Sequence, residues 1–272
     1  MGIVVSQRKR CFGCVPVAII GRRLSQLLGL KGINRVTVMQ KNDPKIIVAL
    51  DCENIRQVRE ISSKLDPKLC RLKVGSTLYT HYGPALVEEL QQQGFEIFLD
   101  LKFYDIPKQV AGSVRSAAEL GVWMVDLHVQ GGQQMMEAAV EELCNASVAD
   151  KPLLIGVTVL TSMNNDDLLA MGIKEEIATM VPRMAKNAKK FGLDGVVCSP
   201  HEAALLREQL GEDFVLVTPG IRLAGRETHD QKRIMTPEDA IKAGSSYLVI
   251  GRAITEAKSP VEVLETIHAG IS

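Results

Sequence analysis

Three ionisable side chains crowd the end of one strand-like segment of the chain. Asp100, Lys102 and Asp105 end or follow the apolar run 95–101. Side chains two apart on a strand share a face, so Asp100 and Lys102 are expected to point the same way. Buried charges this close are costly unless they are paired or used. An arrangement this costly at a strand end indicates a chemical role, so the spacing predicts a reactive cluster.

The cluster belongs to a regular alternation of strand-like and helix-like segments. Each strand-like segment is nearly continuous in hydrophobicity, as strands buried on both faces are, and amphipathic helical patterns lie between them. The eight predicted strands are 45–50, 70–74, 95–101, 123–129, 153–159, 195–198, 214–218 and 247–250. Eight strand–helix alternations without a long composition break predict a single (β/α)8 barrel, the TIM-barrel fold, over residues 43–272.

A doubly wound open sheet is the alternative fold for such an alternation. That fold commonly carries a Gly-x-Gly-x-x-Gly turn after its first strand, and residues 51–56 contain no glycine. The length of 272 residues also suits a barrel, since α/β barrels of about 250 residues form one domain. The barrel is therefore the predicted fold.

Residues that follow the strands of a barrel share one rim, where barrel enzymes keep their active sites. Arg222 follows the seventh predicted strand, and Gly251 and Arg252 follow the eighth. The loops at these two positions often bind phosphate, and arginine adds a bidentate contact. The sequence therefore predicts an anion site beside the reactive cluster. The whole predicted rim set is Asp51, Lys73, Asp100, Lys102, Asp105, His128, Thr161, Arg222, Gly251 and Arg252.

Composition excludes several classes of partner. Lys+Arg and Asp+Glu both number 32 and the aromatic fraction is 4%, which argues against a nucleic-acid surface. No apolar run approaches the 18 or so residues of a membrane span. The six cysteines are scattered, and most lie in or beside apolar segments, which is typical of a reducing compartment and predicts a cytoplasmic protein.

The first 42 residues differ from the rest of the chain. Basic groups, Arg8-Lys-Arg10 and Arg22-Arg23, flank a short apolar run at 15–20. That run is too short for a typical secretory signal and lacks a small-residue cleavage site. Met39 lies just before the first predicted strand and is an alternative translation start. We therefore predict that residues 1–42 are an appendage outside the barrel and not necessarily part of the native mature chain.

Seven motifs along the predicted rim resemble one known family. They are Ala49-Leu-Asp51, Lys73-Val-Gly75, Asp100-Leu-Lys-Phe-Tyr-Asp-Ile-Pro107, Val159-Leu-Thr161-Ser-Met163, Thr218-Pro-Gly-Ile-Arg222, Asp230-Gln231-x-Arg-Ile-Met235 and Ile250-Gly-Arg252. With these motifs in order, the chain from about residue 45 onward resembles orotidine 5′-phosphate decarboxylases of the shorter bacterial form. The resemblance implies a homodimer with shared active sites. It also implies conversion of orotidine 5′-monophosphate (OMP) to uridine 5′-monophosphate (UMP) without cofactor or metal.

The resemblance also implies roles for individual residues. Lys102 would donate a proton to C6 of the pyrimidine, and Asp100 would lie against the substrate carboxylate. Lys73 and Asp105 would complete an alternating Lys–Asp–Lys–Asp chain, with Asp105 supplied by the partner subunit. The implied substrate contacts are Asp51 and Lys73 to the ribose, Thr161 to the pyrimidine, and Gln231, Arg222, Gly251 and Arg252 to the phosphate.

One position departs from the family pattern, and two other functions stay open. Gln109 stands where the family usually has a threonine that holds the substrate across the dimer interface. Related barrels use magnesium to act on sugar phosphates, but they carry an acid where this chain has Lys73. A non-catalytic, nucleotide-binding barrel is the other alternative. The complete Lys–Asp set favours the decarboxylase over both.

Overall fold

The structure, a computed structural model, describes residues 43–222 and 235–272. The predicted appendage at residues 1–42, with Met39, and the predicted phosphate ligand Gln231 lie outside these ranges. Among the described residues, no helix is both long and apolar enough to cross a membrane.

Eight parallel strands close into a barrel in chain order, with β1 paired to both β2 and β8. The strands are β1 Ile46–Ala49, β2 Cys70–Gly75, β3 Ile97–Phe103, β4 Met124–His128, β5 Leu153–Val157, β6 Gly195–Val197, β7 Val215–Thr218 and β8 Tyr247–Ile250. This confirms the predicted TIM-barrel fold, and each predicted strand overlaps an observed one.

Helices follow the strands and cover the outside of the barrel. Within the described residues they are α1 Ile55–Ser62, α2 Ser76–Gln92, α3 Pro107–Glu119, α4 Gly132–Asn145, α5 Asn165–Ala170, α6 Ile177–Lys190, α7 Pro200–Leu210, α8 Pro237–Lys242, α9 Arg252–Thr255 and α10 Pro260–Ile271. Several begin at capping residues visible in the sequence. The Ser199 hydroxyl accepts from the His201 N–H, and the Glu202 carboxylate accepts from the Ser199 N–H at 2.7 Å, so α7 starts at a capping box.

Two apolar cores hold the barrel together. Outward-facing strand residues pack against the buried helix faces in the larger core, for example Val48 and Leu72 with Val58, Leu86 and Val114. The smaller core fills the barrel interior with Ile47, Ala49, Phe98, Met124, Ile155, Val217, Tyr247 and Val249. Strand side chains thus alternate between the two cores, as the pleat requires. The barrel is a packed scaffold that fixes the positions of its rim residues.

Polar and aromatic side chains fill the amino-terminal end of the barrel. The buried Arg71 guanidinium lies 3.8 Å from the Trp123 ring centroid and pairs with Glu96 at 2.6 Å and Asp43 at 3.0 Å. The Tyr247 hydroxyl also donates to Asp43. These contacts satisfy the buried charge of Arg71 at the end opposite the predicted active-site rim.

Candidate active site

A cavity of about 340 Å³ opens at the carboxyl-terminal ends of the strands. Its size falls within the range of small-molecule sites, about 300–1,000 Å³. Inner-core residues such as Ala49, Phe98 and Val157 form part of its wall. Eight residues predicted from the sequence line this cavity: Asp51, Lys73, Asp100, Lys102, Thr161, Arg222, Gly251 and Arg252.

The charged residues of β2 and β3, together with Asp51 after β1, form a continuous series of alternating charge. Lys73 Nζ lies 3.1 Å from Asp100 Oδ2 and 3.5 Å from Asp51 Oδ1. The Lys102 ammonium donates to Asp100 Oδ1, so Asp100 bridges the two lysines. The Asp100 side chain is 11% exposed and that of Lys102 is 37% exposed. Asp100 is therefore held inside the cluster, while Lys102 presents its ammonium group towards the cavity.

Electrostatic attraction between Lys73, Asp100 and their neighbours keeps these two buried side chains charged. Burial alone would raise the pKa of Asp100, but Lys73 and Lys102 hold that pKa well below its usual range. Burial would likewise lower the pKa of Lys73, and the carboxylates of Asp100 and Asp51 raise it above its ordinary value instead. Both groups are therefore ionised at neutral pH.

An irregularity in β3 places Lys102. The strand pairs with β4 through Leu99 and Val125 and again through Phe103 and Leu127, so four steps along β3 match two along β4. Within this bulge Lys102 has φ +52°, and no other non-glycine residue described has a positive φ. This backbone conformation costs about 1–2 kcal/mol. Such strain persists at sites where the surrounding structure fixes the backbone.

Asp126 on β4 is a site residue that the sequence patterns did not reveal. It is fully buried, lies in the cavity floor, and its Oδ1 accepts from the Lys102 backbone N–H at 2.8 Å. Burial and the neighbouring Asp100 carboxylate raise the pKa of Asp126 well above its ordinary value. The sequence did contain one indication of this role. Asp126 is an aspartate within the otherwise apolar run 123–127, two residues before His128 and therefore on the same face of the strand.

The residues predicted to bind an anion lie on the same cavity. Arg222 follows β7, while Gly251 and Arg252 follow β8, and β7 and β8 pair through Thr218 and Leu248. Two guanidinium groups therefore come from neighbouring rim positions. Paired guanidinium groups provide charge-assisted hydrogen bonds of the kind that hold phosphate.

Three residues of the predicted rim or site do not line this cavity: His128 at the end of β4, Asp105 and Gln109. Asp105 is exposed, and its Oδ1 accepts from the Ile106 N–H at 2.6 Å. Gln109 is exposed in the first turn of α3, where its carbonyl accepts from the Ser113 hydroxyl. The structure does not place either beside the cavity of its own chain. Their predicted role belongs to a partner subunit's site and stays a prediction.

The cavity combines the groups needed for reaction of a small anionic molecule. The arginines can hold an anion at one position, and Lys102 can stabilise negative charge or supply a proton at another. Across residues 43–222 and 235–272, no three His, Cys, Asp or Glu side chains come together in a way that would hold a metal ion.

The sequence profile of the orotidine 5′-phosphate decarboxylase / HUMPS family matches residues 44–267, which include the whole described rim. The chain belongs to this family. This match confirms the resemblance to orotidine 5′-phosphate decarboxylases that the seven motifs indicated. It also confirms the prediction that the protein is an enzyme of this family.

Individual members of the orotidine 5′-phosphate decarboxylase / HUMPS family are similar to the chain over most of its length. The orotidine 5′-phosphate decarboxylase of Coxiella burnetii is 57% identical over 233 residues, covering 86% of this chain and 99% of that protein. That of Hydrogenovibrio crunogenus is 56% identical over 229 residues, covering 84% and 96% respectively. The crystal structure of the Lactobacillus acidophilus enzyme matches with a TM-score of 0.76 and 40% identity. It covers 85% of this chain and 100% of the other.

Proposed function

We propose that the chain converts OMP to UMP, the last step of de novo UMP synthesis. The observation that carries this proposal is the series of alternating charges formed by Asp51, Lys73, Asp100 and Lys102. This series lies on the same cavity as Arg222 and Arg252. Relatives that are 54–57% identical bear the name orotidine 5′-phosphate decarboxylase, which supports the same reaction.

Lys102 carries the chemical step. The bond between C6 of the pyrimidine and the carboxylate breaks, CO2 leaves, and the electron pair stays on C6. No adjacent carbonyl or imine absorbs this charge, so stabilisation has to be electrostatic. The Lys102 ammonium stabilises the developing carbanion and then transfers a proton from Nζ to C6, after which water reprotonates the amine.

Asp100 and Lys73 prepare Lys102 for this step. Asp100 accepts from Lys102 and holds its ammonium at the cavity, and Lys73 keeps Asp100 ionised by pairing with it at 3.1 Å. Because these groups are already oriented, little reorganisation is needed as charge develops at C6. We place the substrate carboxylate against Asp100, where repulsion favours loss of CO2, a ground-state effect whose weight is debated.

The remaining cavity residues hold the parts of the substrate that do not react. Asp51 and Lys73 bind the ribose hydroxyls, and Thr161 contacts the pyrimidine. The phosphate is held by Arg222, Gln231, Gly251 and Arg252, of which Gln231 lies outside the described residues. No metal or cofactor has a role in this scheme.

A homodimer completes the site in this proposal. Asp105 and Gln109 reach the partner's cavity, and each subunit gives and receives these residues. Tyr104 and Ile106, which flank Asp105, are each 63% exposed, and large apolar side chains exposed together mark interaction surfaces. The cytoplasm is the proposed location, because the cysteine usage suits a reducing compartment.

OMP turnover in the presence of EDTA is the first expected result. The purified protein should remove the OMP absorbance and release UMP and CO2 at the same rate with and without EDTA, because Lys102 stabilises the carbanion without a metal. Magnesium-dependent sugar-phosphate chemistry is the competing function within the family. Loss of turnover with EDTA, or no OMP turnover at all, would contradict the proposal, and hexulose phosphate and keto-gulonate phosphate serve as comparison substrates.

Arg252→Ala should lower kcat/KM for OMP by roughly 10- to 100-fold, because a hydrogen bond to a charged group contributes about 1.5–3 kcal/mol. The phosphate lies away from the reacting carbon, so its binding energy supports the chemical step indirectly. The measurement is steady-state kinetics of the variant and of the unmodified protein, each on OMP and on phosphate-free orotidine. The variant and the unmodified protein should be equally slow on orotidine. An equal loss on both substrates would show that Arg252 does not act through the phosphate.

A further inference from the structure

Asp126 has no role in the proposed reaction steps, although it lies beside Lys102. Its side chain is fully buried under the cavity, between β3 and β5. Its Oδ1 accepts from the Lys102 backbone N–H at 2.8 Å, at the residue with the strained φ of +52°. The bulge in β3 removes Lys102 from the regular ladder with β4. The Asp126 carboxyl therefore takes the place of the missing sheet partner.

The second carboxyl oxygen of Asp126, Oδ2, has no hydrogen-bond donor among the described residues. An unpaired buried polar atom costs about 1–3 kcal/mol in a stable fold. The Asp126 and Asp100 side chains are nevertheless close enough to hydrogen-bond to each other. Two ionised carboxylates have no proton to share and would repel. A proton on Asp126 Oδ2 satisfies both groups, because it provides a donor to Asp100.

The surrounding charges favour the same arrangement. Asp100 and Lys102 face Asp126 from β3, and His128 lies two residues along its own strand. On β5 the paired residue is Ile155, which is apolar. A second carboxylate charge beside Asp100 would compete with the anionic substrate for the Lys102 ammonium. A neutral Asp126 leaves that ammonium available to the substrate.

We propose that Asp126 is a positioning residue that acts as a carboxylic acid, accepting from the Lys102 N–H and donating to Asp100. It fixes the reactive lysine from two sides, through its backbone and through the carboxylate that holds its ammonium. Asp126 itself touches neither the substrate nor the reacting atoms in this role. The inference rests on the proposed decarboxylation, whose own test is turnover by the unmodified protein.

Two substitutions of Asp126 distinguish the effect of its hydrogen bonds from the effect of filling the space with a side chain. Asp126→Asn keeps an acceptor for Lys102 and a neutral donor for Asp100, so kcat for OMP should stay within about threefold of the unmodified protein. Leucine branches at Cγ as aspartate does but has neither a hydrogen-bond acceptor nor a donor, so Asp126→Leu removes both hydrogen bonds. Its kcat should fall about 100-fold, since a displacement of about 1 Å at a reacting group costs that much, while KM changes much less.

Asp194 offers a matched control at the other end of the barrel. Its Oδ2 accepts from the Leu154 N–H at 2.8 Å, just before β6, so it makes the same kind of bond away from the cavity. Asp194→Leu should change thermal stability without lowering kcat. If Asp126→Leu does not fold, the Asn variant and an infrared measurement still decide the question.

The infrared measurement observes the proton directly and does not depend on turnover. The spectrum of the unmodified protein minus that of Asp126→Asn at pH 7 should contain the carbonyl band of a protonated carboxylic acid. A pair of carboxylate bands in its place would overturn the proposal. A large loss of kcat in the Asn variant, or an unchanged kcat in a folded Leu variant, would also overturn it. If the unmodified protein does not turn over OMP, the proposed function fails while the infrared result still stands.

Discussion

Lys102→Ala should lower kcat for OMP decarboxylation by more than about 10⁴-fold, the largest loss expected from a single substitution in this chain. General acid catalysis contributes about 10²–10⁴-fold and electrostatic stabilisation about 10²–10³-fold, and Lys102 supplies both in the proposed mechanism. The measurement is single-turnover conversion of OMP with enzyme in excess, which detects slow reaction without interference from product release.

The fold should survive this substitution, because the remaining charges still balance. Asp100 keeps its pair with Lys73 at 3.1 Å when Lys102 is removed, so no uncompensated carboxylate is left buried. Thermal unfolding and UMP binding should therefore stay close to those of the unmodified protein. Lys186→Ala, on the exposed face of α6, is the matched control and should leave kcat unchanged. A folded Lys102→Ala protein that retained a tenth of the turnover would exclude Lys102 as the proton donor.

The barrel and most of the described site could be predicted because they depend on local patterns. Strands buried on both faces give continuous apolar runs, and the period of two fixes which side chains share a face. These two patterns place Asp100 and Lys102 on the rim that also carries Arg222 and Arg252, and all four line the cavity. The strand order of a barrel brings these separate segments together without further information.

Features that depend on packing between distant segments could not be predicted in this way. The helical residues before Pro84 are one example: α2 begins at Ser76, and Gly83, with a non-helical φ of +62°, separates this first part from the helix that begins at Pro84. The glycine allows the change of direction between the two parts. Asp126 was missed for a similar reason. Its importance comes from the bulge in β3, which no property of β4 reveals.

A heterodimer with Lys102→Ala in one subunit and Asp105→Ala in the other should retain about half of the unmodified kcat per dimer. If Asp105 acts in the partner's site, both substitutions fall in one of the two sites and the other site is complete. Each homodimer of a single variant should be far less active. Co-expression with two affinity tags isolates the heterodimer, and OMP turnover measures its activity.

The reciprocal heterodimer makes the test independent of how far each substitution lowers activity. It carries both substitutions in one subunit and none in the other, so each site lacks either Lys102 or Asp105 and turnover should be nearly lost. If Asp105 acted in the site of its own chain, the results would be exchanged, with the first heterodimer inactive and the second half active. The exposed position of Asp105, between the exposed Tyr104 and Ile106, favours the first result. Failure to capture any doubly tagged dimer would contradict the shared site itself.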